Sequence, residues 1–145
     1  MKALIQRVKN ASVTIDGQLY SEISEGILVF VGVEKTDEKI NAEKLAEKII
    51  KLRIFEDENE KMNYSIQDIK GEILIVSQFT LCGDCKKGTR PSFDNSAPLD
   101  KAISLYEYFV NYVSQSGIPV KTGKFRAMME VSLINDGPVT FYLEK

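Results

Sequence analysis

The strongest constraint on this chain is the run Ile27-Leu28-Val29-Phe30-Val31-Gly32-Val33, introduced by Gly26. None of its side chains is polar, so neither face suits water, and it is far shorter than the roughly 18 apolar residues a membrane span needs. Its length and β-branched content read as a central strand buried on both faces. Other elements must then cover it on each side. One is the segment Asp37 to Arg53, where Ile40, Leu45, Ile49 and Leu52 are read as one apolar stripe, Lys and Glu fill the other face, and Thr36 stands as a cap. A second helix is expected after Asn95-Ser96-Ala97-Pro98, with Leu99, Ala102, Ile103, Tyr106, Val110 and Val113 as its stripe and Gly117 as its stop.

The remaining periodic segments read as strands. Residues 3 to 8 and 11 to 15 are short β-branched runs separated by Lys9-Asn10, and Asp16-Gly17 is a hairpin turn leading into a strand near Gln18 to Ile23. Glu72 to Val76 is strand-like and runs directly into Ser77-Gln78-Phe79-Thr80-Leu81. Further strands are expected near Pro119 to Lys121, Met129 to Ile134 and Val139 to Leu143, and the charged stretch Glu56 to Ser65 reads as a solvated loop. The order of strands, helix, strand, helix, strands predicts an α/β domain with helices layered on sheet. At 145 residues it is one domain, residues 1–145.

Composition narrows the chemistry. The chain has no histidine, which excludes Ser-His-Asp and Cys-His hydrolase mechanisms, His-bound metals and a histidine base. Cys82 and Cys85 form one C-x-x-C, two ligands short of a zinc site, so neither a metal nor another cofactor is expected. With 19 Lys and Arg against 21 Asp and Glu, the net charge is -2, and any contact with RNA must be local. DNA binding is not expected. The N-terminal Met1-Lys2-Ala3-Leu4-Ile5-Gln6-Arg7 turns polar too soon for a signal peptide, so a cytoplasmic protein without a membrane span is expected.

Two segments can carry function. Ser77, Gln78 and Thr80 follow a buried-type strand, where alternation aims Ser77 and Phe79 one way and Gln78 and Thr80 the other. They offer hydroxyl and amide groups to a ligand, or form an ordinary edge strand. In Asn135-Asp136-Gly137-Pro138-Val139-Thr140, Pro138 lacks a backbone donor and Gly137 accepts torsions other residues resist, so the pair presents bare main chain or makes an ordinary turn between two strands.

Four motifs in order, Leu4-Ile5-Gln6-Arg7-Val8, Ser77-Gln78-Phe79-Thr80-Leu81, Gly88-Thr89-Arg90-Pro91-Ser92-Phe93 and Asn135 to Thr140, make the sequence resemble the D-aminoacyl-tRNA deacylases over essentially its full length. The resemblance implies a homodimer with a three-layer α/β/β fold and hydrolysis of the ester joining a D-amino acid to the terminal adenosine of tRNA. It implies that Ser77, Gln78, Phe79 and Thr80 line the reaction centre, with backbone amides near Gln78 and Phe79 as oxyanion donors. Gly137 and Pro138 of one subunit, joined by a cis bond and pinned by Arg7, would gate the partner's site. Phe125, Ala127 and Met129 would sandwich the terminal adenine, and Lys86, Lys87 and Arg90 are candidate phosphate contacts or solvated loop. The chain departs from the family pattern at Cys82 and Cys85 and at Arg126, where Gly or Ala is usual. Two rival readings stand beside this one: a sister class that removes L-alanine from the wrong tRNA, and an RNA-binding module without chemistry.

Overall fold

The computed structural model describes residues 1–145. Its sheet is built on β1 (Lys2–Ile15), which pairs antiparallel along one edge with β3 (Gly26–Gly32) and then β2 (Gln18–Ile23), and along the other edge with β8 (Glu130–Glu144). Beyond β3 lie β6 (Glu72–Ser77) and β7 (Val120–Thr122), both parallel additions. The sheet curls until β2 approaches β7, where the Ser21 hydroxyl donates to the Thr122 carbonyl at 2.9 Å. Helices α1 (Lys39–Ile50) and α2 (Leu99–Ser114) lie side by side on its outer face.

Alternation along the strands makes the three layers. On β3 and β6, Ile27, Val29, Val31, Ile73 and Ile75 pack under the helices, while Leu28, Leu74 and Val76 point into a second core inside the curl. This confirms the expected α/β/β architecture and the doubly buried central strand. It also explains why the apolar run has no polar face.

The two runs at the start of the chain are one strand, not two. Lys9 and Asn10 do not break β1; the β1–β8 register shifts between Val8 and Asn10, with an extra residue on β1. A single-residue bulge reverses the side-chain parity, so Val8, Ala11 and Val13 all enter the inner core despite their odd spacing. The Asp16-Gly17 turn stands as expected, with both residues at positive φ (51° and 75°) as a type I′ turn requires.

Helix boundaries and faces differ from the sequence reading. The cap of α1 is Glu38, whose N–H donates to Asn41 Oδ1 at 2.8 Å, and Asp37 is occupied instead in accepting the Glu34 N–H at 2.7 Å. Thr36 plays no capping part. Ile40 is 48% exposed, because at about 100° per residue it lies roughly 140° from Leu45; the buried face is Ala42, Leu45, Ala46, Ile49 and Ile50. On α2 the buried residues are Leu105, Tyr106, Phe109 and Val113, and Leu99 at its first turn is exposed. The stretch read as a loop contains a short hairpin, β4 (Phe55–Glu56) with β5 (Met62–Tyr64).

The strands expected at Met129 to Ile134 and Val139 to Leu143 are likewise one strand, β8, passing through Gly137-Pro138. Gln6 pairs with Thr140, so an unbroken register would bring Val8 to Pro138; Val8 meets Asn135 instead. The residues between bulge away from β1. No helix is long and apolar enough to cross a membrane.

Candidate active site

The end of β6 begins the site. Ser77 still pairs with Val31, and the Gln78 N–H donates to the Val31 carbonyl at 2.7 Å. There the ladder stops and the chain folds into a single 3-10 turn, Phe79–Cys82, in which the Leu81 N–H reaches the Gln78 carbonyl at 3.3 Å and the Gly83 N–H reaches the Thr80 carbonyl at 3.0 Å. Strict alternation past Ser77 therefore does not hold. The turn can fold back onto β3 because residue 32 is glycine: a Cβ there would stand 3.0 Å from Cys82 Sγ and 3.1 Å from the Gln78 carbonyl oxygen.

This geometry moves the oxyanion candidates by one residue. The Gln78 amide is spent on Val31, whereas the amides of Phe79 and Thr80 open the 3-10 turn and have no acceptor within it. The Thr80 hydroxyl donates to Gln78 Oε1 at 2.8 Å. An amide oxygen is no base, so nothing in that bond prepares Thr80 to attack a carbonyl.

The turn borders an open cleft of about 670 Å³, mostly apolar, whose far wall is the segment Phe125 to Met129. Phe125 is anchored by Tyr106, ring centroids 5.5 Å apart, and Tyr106 in turn donates its hydroxyl to the Ile75 carbonyl at 2.9 Å. Phe79, 58% exposed, packs on Phe93 at 5.0 Å. So the structure brings Ser77, Gln78, Phe79 and Thr80 together with Phe125, Ala127 and Met129 around one space. Phe30, Ser96 and Leu99 also line it and were not anticipated. Ser96 Oγ is buried with no hydrogen-bond partner in the protein, and within the sequence it looks only like a helix-start residue. An exposed Leu99 on the first turn of α2 is the signal that could have been read as a cleft wall.

Neither of the other titratable groups beneath the cleft is a base at neutral pH. Burial pushes the Tyr106 phenol well above its ordinary value, and burial likewise raises the Cys82 thiol, which lies 3.5 Å from the Val33 carbonyl. Cys85 is exposed, and both cysteines are free.

Gly137, Pro138 and Arg7 do not line this cleft. The Gly137-Pro138 peptide is cis, and Gly137 sits at φ 129° where a Cβ would stand 2.7 Å from Val139 Cγ2. Arg7 is 5% exposed and holds the bulge from beneath: Nε donates to the Asp136 carbonyl (3.0 Å) and pairs with its carboxylate (3.3 Å), Nη1 donates to the Ile54 carbonyl (2.7 Å), and Nη2 pairs with Glu56 (3.6 Å). Asn135 closes the bulge from the side, accepting the Val139 N–H at 2.7 Å and donating to the Thr140 hydroxyl at 2.9 Å. Lys86, Lys87 and Arg90 lie on an exposed loop whose base is the Asp84–Ser92 pair, and none of them lines the cleft.

Residues 4–144 match the family model described as D-Tyr-tRNA(Tyr) deacylase. The D-aminoacyl-tRNA deacylase of Geotalea uraniireducens (strain Rf4) is 61% identical over 99% of this chain and 93% of its own length. That of Thermodesulfovibrio yellowstonii is 57% identical over 99% and 98%. Among solved structures, one titled c-Myc DNA Unwinding Element Binding Protein is 42% identical with a TM-score of 0.94, covering 100% of this chain and 99% of the other. A probable eukaryotic D-amino acid tRNA deacylase, at 18% identity and TM-score 0.83 over 99% and 98%, shares the fold. With a family model spanning nearly every residue and relatives this similar along their whole length, the chain belongs to the D-Tyr-tRNA(Tyr) deacylase family.

Proposed function

We propose that this protein hydrolyses the ester between a D-amino acid and the terminal adenosine of tRNA, releasing both, and so removes wrong-handed residues before translation uses them. The observation that carries this reading is the cleft itself: an apolar slot for a base on one side, hydroxyl, amide and free N–H groups on the other, and no side-chain base. An aminoacyl ester is activated enough to be cleaved by positioning and oxyanion stabilisation. The Phe79 and Thr80 amides are suited to the developing oxyanion, Gln78 and Thr80 to orienting the substrate, and a hydroxyl of the substrate's own ribose to activating water. Phe125, Ala127 and Met129 take the adenine.

In this reading the protein works in the cytoplasm as a homodimer, because Gly137 and Pro138 need a second copy's cleft to act on. The apolar side chains Ile134, Phe141 and Tyr142, exposed on the two sides of β8, supply apolar surface for that partner to cover. Two main-chain carbonyls aimed at the substrate's α-carbon exclude an L side chain and leave a D side chain pointing to solvent. Glycine, having no side chain to exclude, is also removed, including glycine mischarged on tRNA(Ala). Lys86, Lys87 and Arg90 then meet tRNA phosphates outside the cleft, and no cofactor or metal takes part.

The test is deacylation of D-tyrosyl-, D-aspartyl-, glycyl- and L-tyrosyl-tRNA by the purified protein, with and without EDTA. Hydrolysis of both D substrates, slower loss of glycine and an intact L substrate are expected, unchanged by the chelator. Comparable rates on D- and L-tyrosyl-tRNA would overturn the gate. Light scattering is expected to give a dimer.

A further inference from the structure

Arg126 is the single charged residue among those lining the cleft, and it forms no ion pair and no side-chain hydrogen bond. It occupies the third position of a turn closed by the Ala127 N–H to the Lys124 carbonyl at 3.2 Å, with φ at 64°. That position in such turns favours glycine, and a residue with a Cβ pays about 1 kcal/mol or more to hold it. The side chain contributes nothing visible to the fold in return: it is exposed, and no carboxylate lines the cleft beside it. Of the four non-glycine residues at positive φ, Asp16, Glu60, Lys70 and Arg126, Arg126 alone lines the cleft, and an unpaired cation held there points to a ligand group of opposite charge.

From this placement we infer that Arg126 binds the 5′-phosphate of the substrate's terminal nucleoside. The inference rests on the reading of the cleft as an adenosine site. With the base between Phe125, Ala127 and Met129 and the acylated 3′ oxygen directed to the Phe79–Thr80 turn, the nucleoside's 5′ side faces the rim. Arg126 stands on that rim, within the same short segment as the base contacts. A guanidinium suits a phosphodiester there, since its planar fork meets two phosphate oxygens at once and it stays ionised at any working pH. It would fix the register of the nucleic-acid end independently of sequence.

The experiment uses two non-hydrolysable ligands, D-tyrosyl-3′-amino-3′-deoxyadenosine with and without a 5′-phosphate, titrated against the intact protein by calorimetry. The wild type is expected to bind the phosphorylated ligand about tenfold more tightly. Arg126→Gln keeps the stem and the backbone conformation and should bind both ligands alike, whereas Arg126→Lys should keep part of the preference. With full D-tyrosyl-tRNA, Arg126→Gln should raise KM, leave kcat within about twofold and lower the salt slope by roughly one. No preference in the wild type, or a preference that survives in Arg126→Gln, would overturn the assignment while leaving the adenosine reading intact. Binding of neither ligand would overturn both.

Discussion

The Ser77–Cys82 strip and the Asn135–Thr140 bulge are held in opposite ways. In the strip the main chain is tied at both ends, through Gln78 to Val31 and Gly83 to Thr80, with the Phe79 and Thr80 amides left free between them, and the side chains of Ser77 to Thr80 line the cleft. In the bulge the side chains of Arg7 and Asn135 hold the main chain at Asp136 and Val139, and the Gly137-Pro138 stretch between them pairs with no residue of β1. A surface made of side chains can be altered one group at a time without moving its neighbours. A surface made of main chain has no side chain to remove, so its weak points are the residues that hold it.

Arg7→Ala should therefore have the largest effect. It strands the buried Ile54 carbonyl and frees the Asp136 carbonyl and carboxylate, a loss of about 3 kcal/mol that denaturant unfolding would measure. D-tyrosyl-tRNA hydrolysis should fall with it, through a bulge no longer held in place. A variant of wild-type stability and activity would mean that the bulge holds itself. Asn135→Ala removes the acceptor of one N–H and should cost about 1 kcal/mol. Its sharper readout is the ratio of D to L hydrolysis, expected to drop more than the D rate does.

Thr80→Ala should do least. The strip keeps every main-chain bond, the unfolding midpoint should hardly move, and kcat/KM should fall by less than about tenfold, against roughly 10⁴-fold or more if Thr80 were a nucleophile. An acyl group found on Thr80 by mass spectrometry would reverse the assignment of work between side chains and main chain in the strip.

How much of this could be read from the sequence depends on whether a feature is periodic. β3 was legible because both its faces are apolar, and the Asp16-Gly17 turn because its torsions demand those residue types. Both long strands were misread as broken. Lys9-Asn10 and Gly137-Pro138 look like punctuation, but in each case the partner strand carries the ladder across a bulge, and a bulge is a property of the pair that one strand's sequence does not contain. The 3-10 turn after Ser77 was hidden for a similar reason, since it depends on Gly32, far away in sequence, leaving room for it. Ile40 sits off the buried face of α1 by the helix angle alone, which counting apolar residues does not weigh. Ser77 to Thr80, Phe125, Ala127 and Met129 are singled out by resemblance to a family, and only the folded chain shows that they share one cleft while Arg7, Lys86, Lys87, Arg90, Gly137 and Pro138 lie outside it.

The β1–β8 ladder also sets the order of events when the protein is made. It joins Lys2 to Glu144, contacts nearly as distant in sequence as this chain allows, whereas the β1–β2 and β1–β3 pairings are available early. Loop-closure entropy places the distant pairing last and makes it slow. On the ribosome, then, β1 must wait with one edge unpaired until β8 emerges, and during that interval a half-made copy offers its neighbours an open strand edge.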